Sequence, residues 1–440
     1  MFEQIKKALW GEMSPLEFRR FSLLGLGSFL MIGSYQSLKV LKSSVFINTV
    51  GSAYLPQAKL FSLLTFIPVI LLYSILVEVF TKKQLVLSVS GFYATLGVFF
   101  SYLIAHPVIG VANTTPDKWR LMGWCFYIFL ESYITIIYVL YWAFVNDVTT
   151  PESAKRGYGL LIFGSQSGAL IFVILGKILS QQIPYTQSAP IIAFSSFMML
   201  VVFALVMWMT TRVIEAENPA VLEKKGGVKK VLSASMFLDG LYVIFSRPYV
   251  MGIFGIVFFQ EIFSTIFDQQ LTSLVESTYA LPAARQVFLY DYTVAMQALA
   301  CIFGLFGTSV FHRWLGIRAC LVLYPTLLGI SAVIYLTNPT LGIVTIVMII
   351  AKALNYALSQ PTKEILYIPT DDAVKYKAKG WIDVFGNRFS KASGATINII
   401  IGTTVSLIGP VTIGIALVWG IISFGVGTAF RNKTNDKTTI

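Results

Sequence analysis

The sequence predicts an all-α polytopic membrane protein with twelve transmembrane helices in two six-helix halves. Three observations carry this. Hydrophobic residues make up 56% of the 440 and charged residues only 12%, about half the charge of an ordinary soluble domain. Twelve stretches are apolar over the roughly 20 residues needed to cross about 30 Å of hydrocarbon. The basic residues collect on alternate loops, as they do where positive residues stay on the cytoplasmic side. The aliphatic and aromatic load excludes a disordered chain. Cys125, Cys301 and Cys320 show no Cys-x-x-Cys or Cys/His spacing, which excludes a disulfide scaffold and argues against structural zinc.

The elements follow in order. MFEQIKKALWGEMSPLEFRR opens the chain with three acidic residues and no apolar core, so it is neither a signal peptide nor a transit peptide. The first six spans are expected near 21–41, 59–80, 84–105, 122–145, 158–180 and 190–211. The polar stretch 212–247, holding EKKGGVKK, reads as a cytoplasmic linker. Six more spans follow near 248–270, 288–311, 318–337, 340–360, 391–408 and 410–429. The halves are therefore 1–211 and 248–440. With the N-terminus inside, the inner segments carry 24 Lys and Arg, and the outer loops carry 4: Lys59, Lys118, Arg120 and Arg285. That asymmetry, with an even span count, places both termini in the cytoplasm.

The halves resemble each other. AKRGYGLLIFGSQSGALI starts at Ala154 and AKGWIDVFGNRFSKASGATI at Ala378; both follow the fourth span of their half and reach Ser-Gly-Ala. The inner loop after span eight, FGTSVFHRWLGIRACL, resembles the basic glycine-containing loop of the major facilitator fold. Six-plus-six repeats are a transporter signature, with the site near the midplane between repeats.

Ionisable residues inside hydrocarbon are expensive and therefore informative. Lys39 and Lys42 lie on span one, Glu131 on span four, Glu261 and Asp268 on span seven, and Lys352 on span ten, with Lys363 and Glu364 just beyond. Those are the spans that line the central cavity of the facilitator fold. Lys39 and Lys42 share a helix face. Lys352 and Lys363, eleven apart, would share one too, were it not for Pro361, which argues against a continuing helix. Four lysines toward one cavity call for an anion such as a nucleoside di- or triphosphate, with Glu131 and Glu261 holding them when the site is empty or binding a proton. Plainer readings stand beside these. Lys42 snorkels if span one ends near it, Lys177 is an interface residue, Glu78 pairs with Lys82, and Asp268 caps span seven. His106 and His312 are loop residues. Tyr35, Trp142 and Tyr356 are ordinary bundle aromatics.

PTKEILYIPTDDAVKYKAKGWIDVFGNRFSKASGATI, from Pro361, closely resembles the signature of the nucleotide transporter family, the ATP/ADP antiporters of plastids and obligate intracellular bacteria. The family pattern is Lys-Glu-x-x-Tyr-Ile-Pro, then Lys-x-Lys-x-Lys/Gly, then Ile-Asp-Val before a glycine. YWAFVNDVTTPESAKRGYGLLIFG and KVLKSSVFINTVGSAYLPQAK resemble two further family segments. The resemblance implies that Lys42, Glu131 and Lys363 bind substrate. Lys39 stands where the family has Arg, which loses a bidentate fork for phosphate; Ser43 stands where it has Asp. The acid of span seven falls on Ser264, with Glu261 one turn earlier. Asn146 and Arg388, inside the matching segments, join Lys39, Lys42, Glu131, Glu261, Lys352 and Lys363 as candidate site residues.

The implied function is nucleotide transport by alternating access around a cationic midplane site, either as ATP/ADP exchange or as other nucleoside phosphate uptake. The expected protein is a monomer in a bacterial inner membrane, needs no cofactor or metal and binds no nucleic acid. A proton-coupled carrier of another organic phosphate is the alternative within transporters. A membrane enzyme on lipid or sugar phosphates is the alternative outside them, and the chain shows neither a His/Asp metal cluster nor a nucleophile elbow.

Overall fold

The structure, a computed structural model, describes residues 14–149, 151–217, 234–303, 308–371, 374 and 378–435. They form a chain of helices: α1 (Pro15–Thr49), α2 (Leu55–Val79), α3 (Lys82–Ala105), α4 (Leu121–Val148), α5 (Pro151–Gln182), α6 (Tyr185–Glu217), α7 (Ala234–Ser246), α8 (Pro248–Thr278), α9 (Pro282–Ile302), α10 (Thr308–Thr337), α11 (Leu341–Leu354), α12 (Gln360–Leu366), α13 (Lys379–Trp381), α14 (Asn387–Ile401) and α15 (Val405–Asn435). The starts follow from sequence. Ser14 accepts a hydrogen bond from the Glu17 N–H at 3.1 Å, and Pro15 opens α1 with its φ already helical. Thr81 and Gln84 close a reciprocal capping box on α3.

Each expected span falls largely on helix, but the eighth crosses residues 304–307, which lie outside the described residues, and the eleventh, expected at 391–408, is broken at 402–404, where α14 ends and α15 begins. Among the described residues nine helices are by themselves long and apolar enough to cross a membrane, so the chain is a multi-pass membrane protein. The other three spans fall short for identifiable reasons. α9 carries Arg285, Gln286, Asp291 and Gln297; α11 is only 14 residues before its helix changes pitch; and α14 is only 15 residues. Of the expected linker 212–247, residues 218–233 lie outside the described residues, while α6 reaches Glu217 and α7 begins at Ala234. Inside the basic loop after span eight, Gly316 takes φ +74°, which turns the chain within α10 and suits a residue with no Cβ.

The chain divides into two compact units, Met1–Gly51 with Thr65–Val231 and Leu281–Val294, and Ser52–Leu64 with Leu232–Ala280 and Ala295–Ile440. In the first, α1 packs against α4, α5 and α6. The repeat motif explains how closely α1 and α5 meet. A Cβ on Gly164 would lie 2.2 Å from the Gly25 carbonyl oxygen, and one on Gly168 2.2 Å from that of Phe29. This small-xxx-small spacing lets two membrane helices touch through their backbones, and Ser28 adds a hydrogen bond to the Leu161 carbonyl at 2.8 Å. In the second unit, α8 packs on α11, α14 and α15. There Gly394, the repeat partner of Gly168, would place a Cβ 2.9 Å from Thr265 and 3.1 Å from the Ile262 backbone. The repeated Ser-Gly-Ala is thus a packing motif, and it seats the helix that carries each unit's charged residues.

Candidate functional site

In the first unit the chemistry gathers on α1 and α4. Lys42 is only 8% exposed. Its ammonium donates to the Glu131 carboxylate and stands 4.3 Å from the centre of the Tyr127 ring. Tyr127 and Glu131 are four apart on α4, so both project to the same patch. A carboxylate and a quadrupolar ring together hold a cation that little water reaches. Lys42 is therefore buried and paired, which overturns the snorkelling reading. Lys39, one turn earlier on α1, is half-buried. Ser43, in place of the family's acid, turns its hydroxyl back to the Lys39 carbonyl at 3.4 Å. Lys177 is no lone interface residue: it pairs with Asp291 at 2.7 Å.

In the second unit, α8 presents Glu261, Ser264 and Asp268 at helical spacing along one face. Lys352 of α11 donates to the Ser264 hydroxyl at 2.5 Å and lies 3.7 Å from Asp268. Asp268 is a lysine partner and not a helix cap, because α8 continues to Thr278. The two candidate positions for the span-seven acid prove to be neighbours on a single stripe: Ser264 meets Lys352, and Glu261 lies 3.9 Å from Lys391.

Lys363 is 7% exposed. Its acidic neighbours are Glu261, Asp383 and Glu364. Glu364 is itself engaged by Lys379 at 2.6 Å. Among the described residues no hydrogen bond or ion pair within 4 Å reaches the Lys363 ammonium. This buried cation meets its acidic neighbours, among the described residues, only through space.

The helix carrying both lysines does not stop at Pro361. It continues through a π turn, Asn355–Ser359, into α12. The physical reason lies in the proline, which has no N–H and would crowd the carbonyl four residues before it in a regular α-helix; a wider turn immediately upstream relieves both. Gln260 of α8 fixes this turn. Its amide donates to Asn355 Oδ1 at 2.7 Å, and its carbonyl accepts from the Ser359 hydroxyl at 2.7 Å. Eleven residues of plain α-helix would set Lys352 and Lys363 about 20° apart around the axis; the extra residue of a π turn moves them to roughly 80° apart. They do not share a face, so each meets α8 at a different level.

Gln260, Asn355, Ser359 and Tyr127 escape a reading that follows charge, since none is ionised in the membrane. Two polar residues four apart just before a proline, in an otherwise apolar helix, were the available signal. Asn146 lies exposed near the end of α4 and accepts from Tyr158 at 2.8 Å, joining two residues of one motif across a turn. Arg388 stands half-buried in the first turn of α14. Outside the spans, Arg247 donates to Asp371 at 2.6 Å and holds that carboxyl below the usual range; Lys375 and Lys377 of the same motif lie outside the described residues.

Comparison with known proteins shows the family and the fold. The family model described as TLC ATP/ADP transporter matches residues 1–429. ADP,ATP carrier protein 4 of Rickettsia conorii is 22% identical over 458 residues, covering 91% of this chain and 88% of the carrier. ADP,ATP carrier protein 1 of the same organism is 20% identical over 445 residues, covering 90% and 88%. Among solved structures, a bacterial homologue of the iron transporter ferroportin in its inward-facing state superposes with TM-score 0.64 at 12% identity, covering 94% of this chain and all of that one. The inward-open xylose transporter XylE from E. coli superposes at 0.60 and 12%, covering 94% and 95%. These shared folds are of the major facilitator type.

Proposed function

We propose that this chain, which belongs to the TLC ATP/ADP transporter family, carries nucleotides across a membrane by antiport through alternating access. The observation that carries the reading is the pair of buried lysines, Lys42 and Lys363, one in each unit. A buried cation needs an anion, and Lys42 and Lys363 stand in different electrostatic states. Lys42 is already neutralised by Glu131; substrate phosphate replaces that carboxylate when it arrives. Among the described residues Lys363 is met only through space, and a phosphate oxygen gives it a direct, charge-assisted partner. Lys352, with Ser264 and Asp268, and Lys39 complete the cationic set. An empty carrier keeps Lys363 without a bonded anion, which disfavours its reorientation and supports exchange over one-way uptake.

The functional division we favour is two six-helix halves, 1–211 and 248–440, joined by 212–247, with a single chain as the working unit. The reading favours a carrier over an enzyme because the relatives are carriers by name. Proteoliposomes preloaded with ADP are expected to accumulate labelled ATP many-fold faster than empty ones. Uptake blocked by glycerol phosphate but not by any nucleotide would instead support the organic-phosphate reading.

The favoured orientation is that of a bacterial inner-membrane protein with both termini and the 212–247 segment in the cytoplasm. The loop charges support it, 24 basic residues against 4. In sealed cells an impermeant thiol reagent is expected to miss a cysteine placed at Gly226 and to label one at Thr115; labelling at Gly226 would reverse the orientation.

A further inference from the structure

We propose that the groove between α10 and α15 is a binding site for an anionic phospholipid, with its phosphate at Arg318 and Arg431 and an acyl chain along the two helices. Two adjoining cavities of about 560 and 610 Å³ share Val322 and Phe424. One is walled by apolar and small residues, Gly329 and Val333 of α10 facing Ala416 and Gly420 of α15 among them. The other ends the groove at Arg318 and Arg431. Thr326, a hydroxyl on the apolar wall, is turned back to the Val322 carbonyl at 2.8 Å, so the wall stays apolar.

The chemistry of the occupant follows from charge and length. Neither α10 nor α15 contains an acidic residue along its whole length, so nothing on either helix neutralises the two guanidinium groups. Arg318 lies 3.9 Å over the Phe424 ring, a contact that fixes a guanidinium in place while leaving its hydrogen-bond donors available. Gly427 makes room for it: a Cβ there would stand 2.9 Å from the Arg318 side chain. From Arg318 to Val333 the helix rises about 22 Å, more than the depth of one hydrocarbon leaflet, about 15 Å. An arginine pair at one end and an open apolar trough at least one leaflet long match a phosphodiester with a fatty chain. Basic pockets between transmembrane helices hold anionic headgroups in this manner. A soluble phosphate would use the arginines and leave the trough bare, and a zwitterionic lipid would fill the trough while bringing its own cation to the arginines.

The test uses the full-length chain purified in a mild detergent and titrated with dioleoyl-phosphatidylglycerol, dioleoyl-phosphatidylcholine or inorganic phosphate. Retained lipid is counted by native mass spectrometry and thermal stability is followed alongside. The expected result is retention of phosphatidylglycerol at roughly thirtyfold lower concentration than phosphatidylcholine, as two arginines near the surface provide, with a rise in Tm that inorganic phosphate does not reproduce. Arg318→Gln with Arg431→Gln is expected to erase the preference, and Ile421→Trp, which fills the trough, to weaken retention of both lipids. Equal retention of the two lipids by the unaltered chain would overturn the proposal without reference to any variant. A Tm rise with inorganic phosphate alone would reduce the site to an anion site and overturn it equally.

Discussion

Lys363→Met is expected to remove nearly all nucleotide transport while leaving the protein at least as stable as before. Lys363 is buried, and among the described residues nothing bonds its ammonium. Hydrogen bonds to charged groups contribute about 1.5–3 kcal/mol each, so losing one raises the KM for nucleotide by about 10- to 150-fold. The protein itself loses little. Exchanging an unbonded buried charge for an apolar side chain of similar volume removes its desolvation cost without opening a cavity. A purely structural lysine would behave the other way, losing Tm and transport together. The measurement is labelled ATP uptake at matched membrane content, with Tm of the purified variant beside it. A series of nucleosides with zero to three phosphates sharpens the result: discrimination by charge should flatten in the variant. Near-normal uptake, or a Tm fall that tracks the activity loss, would remove Lys363 from the site.

Much of this was legible before any coordinates, for reasons that differ by element. The spans were legible because hydrocarbon thickness enforces length and apolarity; the end of the eleventh was not, because the break at 402–404 between α14 and α15 lies inside a continuous apolar run. Lys42 and Glu131 stood out because a charge in a span needs a partner, and a pairing 89 residues apart in sequence then follows from α1 and α4 packing together. The internal repeat was visible as Ser-Gly-Ala, but its meaning was not. Only the backbone approach at Gly168 and Gly394 shows that it sets helix packing. The course of the chain at Pro361 was misjudged. Proline propensity argues for a stop, and a π turn stapled by Gln260 satisfies the backbone instead; propensity is local, whereas the staple comes from another helix. Ser264 read as a missing acid, yet it is the residue that meets Lys352, because the stripe on α8 divides its work between a hydroxyl and two carboxylates.

Glu131→Gln is expected to damage the protein and its transport in a pattern that separates exchange from net movement. The carboxylate neutralises Lys42 where little water reaches: the two side chains are 23% and 10% exposed. Removing one partner of a buried pair costs about 3–5 kcal/mol, since the other charge stays buried, so the single variant should lose thermal stability. Lys42→Ala combined with Glu131→Gln removes both charges and should recover stability without recovering transport; a coupling of that sign marks a direct pair. The functional split comes from when the pair is needed. With nucleotide on both sides, Lys42 passes from one phosphate to the next and the empty state is rarely visited. Net uptake into nucleotide-free vesicles must return the empty carrier, and that is the state in which Glu131 holds Lys42. The ratio of exchange to net uptake should therefore rise by about tenfold or more in Glu131→Gln, as a 1.4 kcal/mol change in the empty state alone would give. Collapsing the proton gradient should leave that ratio unchanged in both proteins, because the carboxylate acts here as a fixed counter-charge. A proton-coupled carrier would instead lose net uptake with the gradient, and Glu131→Gln would abolish that dependence. If the variant exchanges and accumulates nucleotide at wild-type rates, Glu131 is a tolerated buried acid and Lys42 meets phosphate without it.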